Sequence, residues 1–191
     1  MNGEFMYKNN YFILTVKDYL AKEQQLHIES EITKYIFNVW RSFHLRCVFI
    51  PTGANPIEEN DLPVGERMSN KINNKSIFAV KIPKNPEATK KIIRKAKFAI
   101  CTRMHSAIFA ITEFTPFIAI AYEHKSIGLL RSLQLSEWSI KMREVTAEAL
   151  TKKTSKLLEK SNYQQFINHL NKKRPSILAY RDVLKNHLIN I

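Results

Sequence analysis

Apolar residues fall along this chain in short dense runs, separated by longer stretches in which they recur every three or four positions. The runs are Tyr11 to Val16, Arg46 to Pro51, Ser76 to Ile82, Phe98 to Cys101 and Pro116 to Tyr122. Each is short and rich in β-branched or aromatic side chains, which predicts buried strands. From about Gln25 to His44, the residues Ile28, Ile32, Tyr35, Ile36, Val39 and Trp40 share one face of a helix. Asp61 to Ile72 is a weaker helical stretch, interrupted early by Pro63 and Gly65. A further helix to about Lys97 has a clear start. Asn85 is placed to cap free backbone donors, Pro86 lacks an N–H where none is needed, and Glu87 complements the positive helix end. Met104 to Phe114 and about Lys125 to Leu133 complete the helical segments between runs.

Strand and helix thus alternate, with connections short enough for right-handed crossovers. The expected fold class is α/β: a mainly parallel, Rossmann-like sheet with helices on both faces. From about Glu144 onward no strand pattern survives, and Thr146 to Leu170 and Ile177 to Ile189 read as helices separated by Lys172, Lys173, Arg174 and Pro175. The expected organisation is an α/β domain over residues 1–140 and a helical C-terminal extension over 141–191.

Composition narrows the function classes. At 45% hydrophobic and 25% charged over 191 residues, the chain has material for a real core and is far from the signature of disorder. No apolar run approaches the roughly 18 residues of a membrane-spanning helix, and the opening residues lack a signal-peptide pattern. The expected location is the cytoplasm, or a peripheral position at the inner face of the membrane. Cys47 and Cys101 lie inside apolar segments and read as buried hydrophobes, so neither a disulfide nor a metal site is expected. The formal charge of +13 favours anionic partners. No motif that reads DNA or RNA accompanies it, so nucleic acid is not the expected partner. The excess in the last third, from Lys152 to Arg174, reads as a solvated helical face. There is no GxGxxG and no GxxxxGK[ST], so neither a dinucleotide fingerprint nor a P-loop is present.

Candidate chemistry concentrates where an open parallel sheet binds ligands, at the carboxyl ends of its strands. The fourth strand delivers Thr102, Arg103, Met104, His105 and Ser106 there, with Thr102 as the expected helix cap. Arginine donates two parallel hydrogen bonds to a carboxylate or phosphate, and histidine transfers a proton near neutral pH. The bland alternative is that Arg103 pairs with a nearby acid and His105 caps the helix. The fifth strand brings Tyr122, Glu123, His124 and Lys125 to the same edge, which adds a second cation.

The stretch Cys101 to Leu135, CTRMHSAIFAITEFTPFIAIAYEHKSIGLLRSLQL, resembles the signature region of the polysaccharide pyruvyl transferase family. The matching elements are Arg103-x-His105, the small-and-aromatic helix with Ala107, Phe109 and Ala110, the turn Phe114 to Pro116, the strand through Ile120, Tyr122-x-x-Lys125 and Gly128. A looser likeness covers about Tyr11 to Trp138. Lys17-Asp18 stands where the family has Arg-Asp, and Phe114 replaces a turn glycine.

This resemblance implies one half of a GT-B-like architecture, with the site between two α/β lobes and the first lobe supplied elsewhere, for example as a separate chain. It implies transfer of a pyruvyl group from phosphoenolpyruvate to a saccharide acceptor, free or lipid-linked, for a cell-surface or exopolysaccharide. Phosphoenolpyruvate enters as donor substrate, and no cofactor is called for. Arg103 then holds the donor's carboxylate or phosphate, His105 is the catalytic acid or base, and Lys125, Lys17 and Tyr122 complete the substrate site. Two other readings stand beside this one: a GT-B-like glycosyltransferase using a nucleotide sugar, and an inactive binding module left by truncation or gene splitting.

Overall fold

The computed structural model describes residues 10–18, 22–52, 54–55, 59–121, 124–173 and 175–177, with the side chains of residues 54, 55, 59, 121 and 124–126 outside that description. Six parallel strands form one sheet: β1 (Tyr11–Thr15), β2 (Arg46–Phe49), β5 (Phe78–Val80), β6 (Ala99–Cys101), β7 (Phe117–Ala121) and β8 (Ser139–Lys141). Two-residue strands β3 (Ala54–Asn55) and β4 (Glu59–Asn60) pair as a small antiparallel hairpin above the end of β2. The sheet order is β5-β2-β1-β6-β7-β8. The chain therefore winds outward from β1 in one direction, then returns to β6 and winds outward in the other, which is the Rossmann order. The reversal lies between β1 and β6, which pair in register from Ile13 opposite Ala99 to Thr15 opposite Cys101.

Helices α1 (Lys22–Phe43), α2 (Leu62–Ile72), α3 (Pro86–Lys95), α4 (Met104–Thr112) and α5 (His124–Ser132) form the crossovers. The α1 face anticipated from spacing is the buried one: Ile28, Ile32, Tyr35, Ile36 and Val39 all point inward. The central strands are buried on both faces, and Phe12, Ile13, Leu14, Phe49, Phe98 and Phe117 have no accessible surface. Phe12 and Phe98 stack with ring centroids 5.0 Å apart, which fixes the spacing of β1 and β6 from the core side. At the start of α3 the side chain of Asn85 accepts the Ala88 N–H at 2.8 Å, with Pro86 in the first helical position, as the sequence predicts.

Three elements differ from the sequence reading. Strand β8 was not expected, because Ser-Ile-Lys offers a single buried apolar residue, Ile140, and only pairing with β7 reveals it. The helical stretch predicted from Thr146 to Leu170 is two helices, α6 (Ala147–Leu158) and α7 (Lys160–Lys172), because Glu159 between them is extended, with ψ 131°. Thr102 does not cap α4. Arg103 occupies the cap position, and the Thr102 hydroxyl instead accepts the Lys17 N–H at 3.1 Å. The helix predicted over Ile177 to Ile189 lies, beyond Ile177, outside the described residues.

The last helices pack onto the sheet domain. Tyr35 of α1 and Thr154 of α6 share a buried hydrogen bond of 2.8 Å, and Glu31 accepts the Ala147 N–H at the start of α6 at 2.8 Å. Phe166 of α7 packs against Phe117 and Trp138.

Helices α4 and α5 both end in turns in which a residue other than glycine takes the left-handed conformation: Phe114 at φ 53° and Gln134 at φ 57°. In each, the next residue bonds back five positions, Thr115 to Ala110 and Leu135 to Leu130, which is the Schellman arrangement. Phe114, in the turn where the resemblance implies glycine, thus takes the conformation that glycine favours.

Candidate functional site

Lys17 and Arg103 leave the sheet side by side, at the one place where neighbouring strands send their chains in opposite directions. In open parallel sheets such a reversal is where ligands bind, outside the carboxyl ends of the strands. The two loops are stitched together by small hydroxyl side chains. The Thr102 N–H donates to Thr15 Oγ1 at 3.2 Å, Thr15 Oγ1 and Ser106 Oγ lie 2.9 Å apart, and Ser106 Oγ donates to the Arg103 carbonyl at 2.7 Å. Thr15, Thr102 and Ser106 are all buried, so these bonds form in a low dielectric and hold the first turn of α4 against the end of β1.

Arg103 does not point into open water. It is 7% exposed and meets Asp61, which is 1% exposed, through two parallel bonds of 2.8 Å from Nε and Nη2 to Oδ2 and Oδ1. Asp61 Oδ2 also accepts the Thr52 N–H at 3.2 Å. The sequence pointed to the arginine but not to its partner, which lies 42 positions away in a different crossover. His105, two residues into the same turn, is exposed at this edge. Lys17 is partly buried at the end of β1. The backbone of Lys125 lies in the first turn of α5, after the neighbouring strand β7, while its side chain and the whole of Tyr122 lie outside the described residues.

A second charged group borders the first. Glu29 of α1 is fully buried and accepts from Arg67 of α2, at 2.6 Å from Nη2 and 3.2 Å from Nε. The same Nη2 reaches Asp18 at 3.0 Å, immediately after Lys17. Helix α2 therefore carries two anchors, Asp61 at its start fixing Arg103 and Arg67 in its second turn fixing Asp18. Neither Glu29 nor Arg67 stood out in the sequence.

The cavity touching Arg103, between β6, β7 and α5, is about 10 Å³, room for at most one water. Outside it an apolar groove of about 620 Å³ runs from Met104 along α4 and α5 to Ile177. Neither cysteine is placed for chemistry. Both are buried, and burial pushes the Cys101 thiol up to about 12 and the Cys47 thiol well above its ordinary value. No helix among the described residues is long and apolar enough to cross a membrane.

The sequence pattern that defines the polysaccharide pyruvyl transferases matches residues 17–124, more than half of the chain, from Lys17 through the first residue of α5. The amylovoran biosynthesis protein AmsJ of Erwinia amylovora is 23% identical over 159 residues, a match covering 80% of this chain and 38% of AmsJ. Among solved structures, a putative UDP-N-acetylglucosamine 2-epimerase of Listeria monocytogenes superposes with a TM-score of 0.61 at 13% identity, over 96% of this chain and 47% of that one. An O-GlcNAc transferase of Thermobaculum terrenum gives 0.58 at 11% identity, over 88% of this chain and 32% of that one. At these identities the structures speak for the fold alone, a GT-B-like α/β lobe. The chain spans less than half the length of each of these proteins.

Proposed function

This chain belongs to the polysaccharide pyruvyl transferase family, and we propose that it forms the donor-binding side of an enzyme that transfers a pyruvyl group from phosphoenolpyruvate to a saccharide. The observation that carries the proposal is Arg103, a guanidinium held rigidly at the reversal point of the sheet, with His105 exposed in the same helical turn. The likeness to AmsJ supports an exopolysaccharide as the destination of the product.

In the proposed reaction the methylene carbon of the enol takes a proton, leaving a cation at the carbon that bears carboxylate and phosphate. One sugar hydroxyl attacks that carbon and loses its proton. Phosphate then departs, and a second hydroxyl closes the cyclic ketal, losing its own proton. Arg103 and Lys17 supply positive charge to the donor anion, and Lys125 and Tyr122 are assigned to the same substrate site. His105 is assigned the proton transfers. The Nε–Nη2 edge of Arg103 is committed to Asp61, so that edge orients the guanidinium rather than gripping the donor. A second lobe, in the part of AmsJ-sized relatives that this chain does not span, is proposed to complete the site.

Thermal shift separates this reading from a nucleotide-sugar glycosyltransferase on the same fold, because a ligand bound only by the native state raises the unfolding midpoint. Phosphoenolpyruvate is expected to raise it and UDP-sugars to leave it unchanged. The reverse pattern would replace the pyruvyl reading with the glycosyl one.

A further inference from the structure

We infer that Asp61 is a positioning residue of the donor site, fixing the guanidinium plane of Arg103 before any donor arrives; the inference rests on the reading of Arg103 as donor-anion ligand. Asp61 stands at the cap position of α2 yet makes no side-chain cap to that helix. Its carboxylate is turned away from the orphan N–H groups it is best suited to satisfy. It accepts instead from Nε and Nη2 of Arg103 and from the N–H and hydroxyl of Thr52, the latter at 3.4 Å. A buried ion pair offers little net stability over apolar packing, since desolvation offsets the attraction. What the pair does supply is orientation, because two parallel bonds to one edge of a planar fork leave the guanidinium a single plane.

The carboxylate and the helix that follows it are held at three points. Thr52 ties it to the end of β2. Arg67, one and a half turns further along α2, is locked to the buried Glu29 and to Asp18. Between them Gly65 lets α2 lie directly on the ring of Phe49, where a Cβ would come within 2.6 Å of the ring. Helix α2 thus fixes the loops after β1 and β6 at once, through Asp18 and Arg103.

The test is phosphoenolpyruvate binding by the full chain, measured by calorimetry well below the unfolding midpoint, for wild type, Asp61→Asn, Arg103→Gln and the double variant. Arg103→Gln and Asp61→Asn are each expected to weaken binding by about tenfold or more, as the loss of a charge-assisted contact does. The double variant is expected to be no weaker than Arg103→Gln alone, because Asp61 acts only through Arg103. A wild-type chain that does not bind phosphoenolpyruvate removes the donor reading and this inference with it. Binding that is lost in Arg103→Gln but unchanged in Asp61→Asn overturns the inference and leaves the donor reading standing. Additive losses in the double variant also overturn it. If Asp61→Asn does not fold, nuclear magnetic resonance of the wild-type chain decides. The Arg103 Nε–H is expected to exchange slowly with solvent, with and without phosphoenolpyruvate, whereas exchange as fast as that of the exposed Arg143 overturns the assignment.

Discussion

Gly65 of α2 lies so close to the ring of Phe49 that a Cβ added to it would stand 2.6 Å and 2.7 Å from two ring carbons. Phe49 is fully buried and packs on Phe78, so the ring has nowhere to go. Gly65→Ala therefore forces the helix off the sheet, and the cost expected of such overpacking is about 1–3 kcal/mol, read as a lower urea midpoint. Because α2 also carries Asp61 and Arg67, the same variant is expected to weaken phosphoenolpyruvate binding. An unfolding midpoint equal to the wild type's would show that α2 is less tightly seated than the geometry says.

The hydroxyl of Tyr35 meets that of Thr154 at 2.8 Å inside the contact between α1 and α6. Tyr35→Phe leaves a buried hydroxyl unpaired, and the expected loss is about 1–3 kcal/mol by urea unfolding. The double variant Tyr35→Phe/Thr154→Val removes both partners and is expected to recover part of that loss.

Glu31 is held below its ordinary value of 4.5, first by the hydrogen bond from Lys34 and then by the backbone N–H of Ala147. A carboxyl depressed in the folded state adds stability that is complete above its unfolded value and is lost as the pH falls through the folded one. Glu31→Gln is expected to flatten the acid limb of the stability curve below about pH 4.5. The two proteins should differ most near neutrality and converge at the acid end, as followed by unfolding between pH 3 and pH 7.

Gln134 is exposed and closes α5 at φ 57°, a conformation that glycine adopts without strain. Gln134→Gly is expected to raise stability by about 0.5–1 kcal/mol in equilibrium unfolding. Phe114, at φ 53°, is partly buried against the core, so replacing it with glycine loses packing as well as strain and serves as the contrasting case.

His105 and Arg103 lie in one turn but are given different tasks. In the enzyme assembled with its second lobe, His105→Ala is expected to depress kcat by about 100-fold or more with little change in donor affinity, the size of a lost general acid or base. Arg103→Ala is expected to act mainly on donor affinity. Full turnover by His105→Ala would remove histidine from the chemistry.

Much of the fold was legible because its signals are local. Strands β1, β2, β5, β6 and β7 show as dense apolar runs, α1 shows its buried face in three- and four-residue spacing, and Asn85-Pro86-Glu87 announces a helix start that the structure reproduces. Strand β8 was not legible, since Ser-Ile-Lys holds a single apolar residue and so forms no run. In the site, Arg103 and His105 were visible as an Arg-x-His at a strand end. Their setting was not. Asp61 was only the first residue of a weak helical stretch and Glu29 drew no notice, yet both are buried partners of arginines.

The sequence by itself determined the alternation of strand and helix, the class of sheet it must form, and the residues that reach the carboxyl edge, because each follows from spacing along the chain. Only the tertiary structure decided which of those residues meet. Burial raises the cost of an unpaired charge, and so joins Asp61 to Arg103 and Glu29 to Arg67 across 42 and 38 positions, distances over which no local pattern carries information.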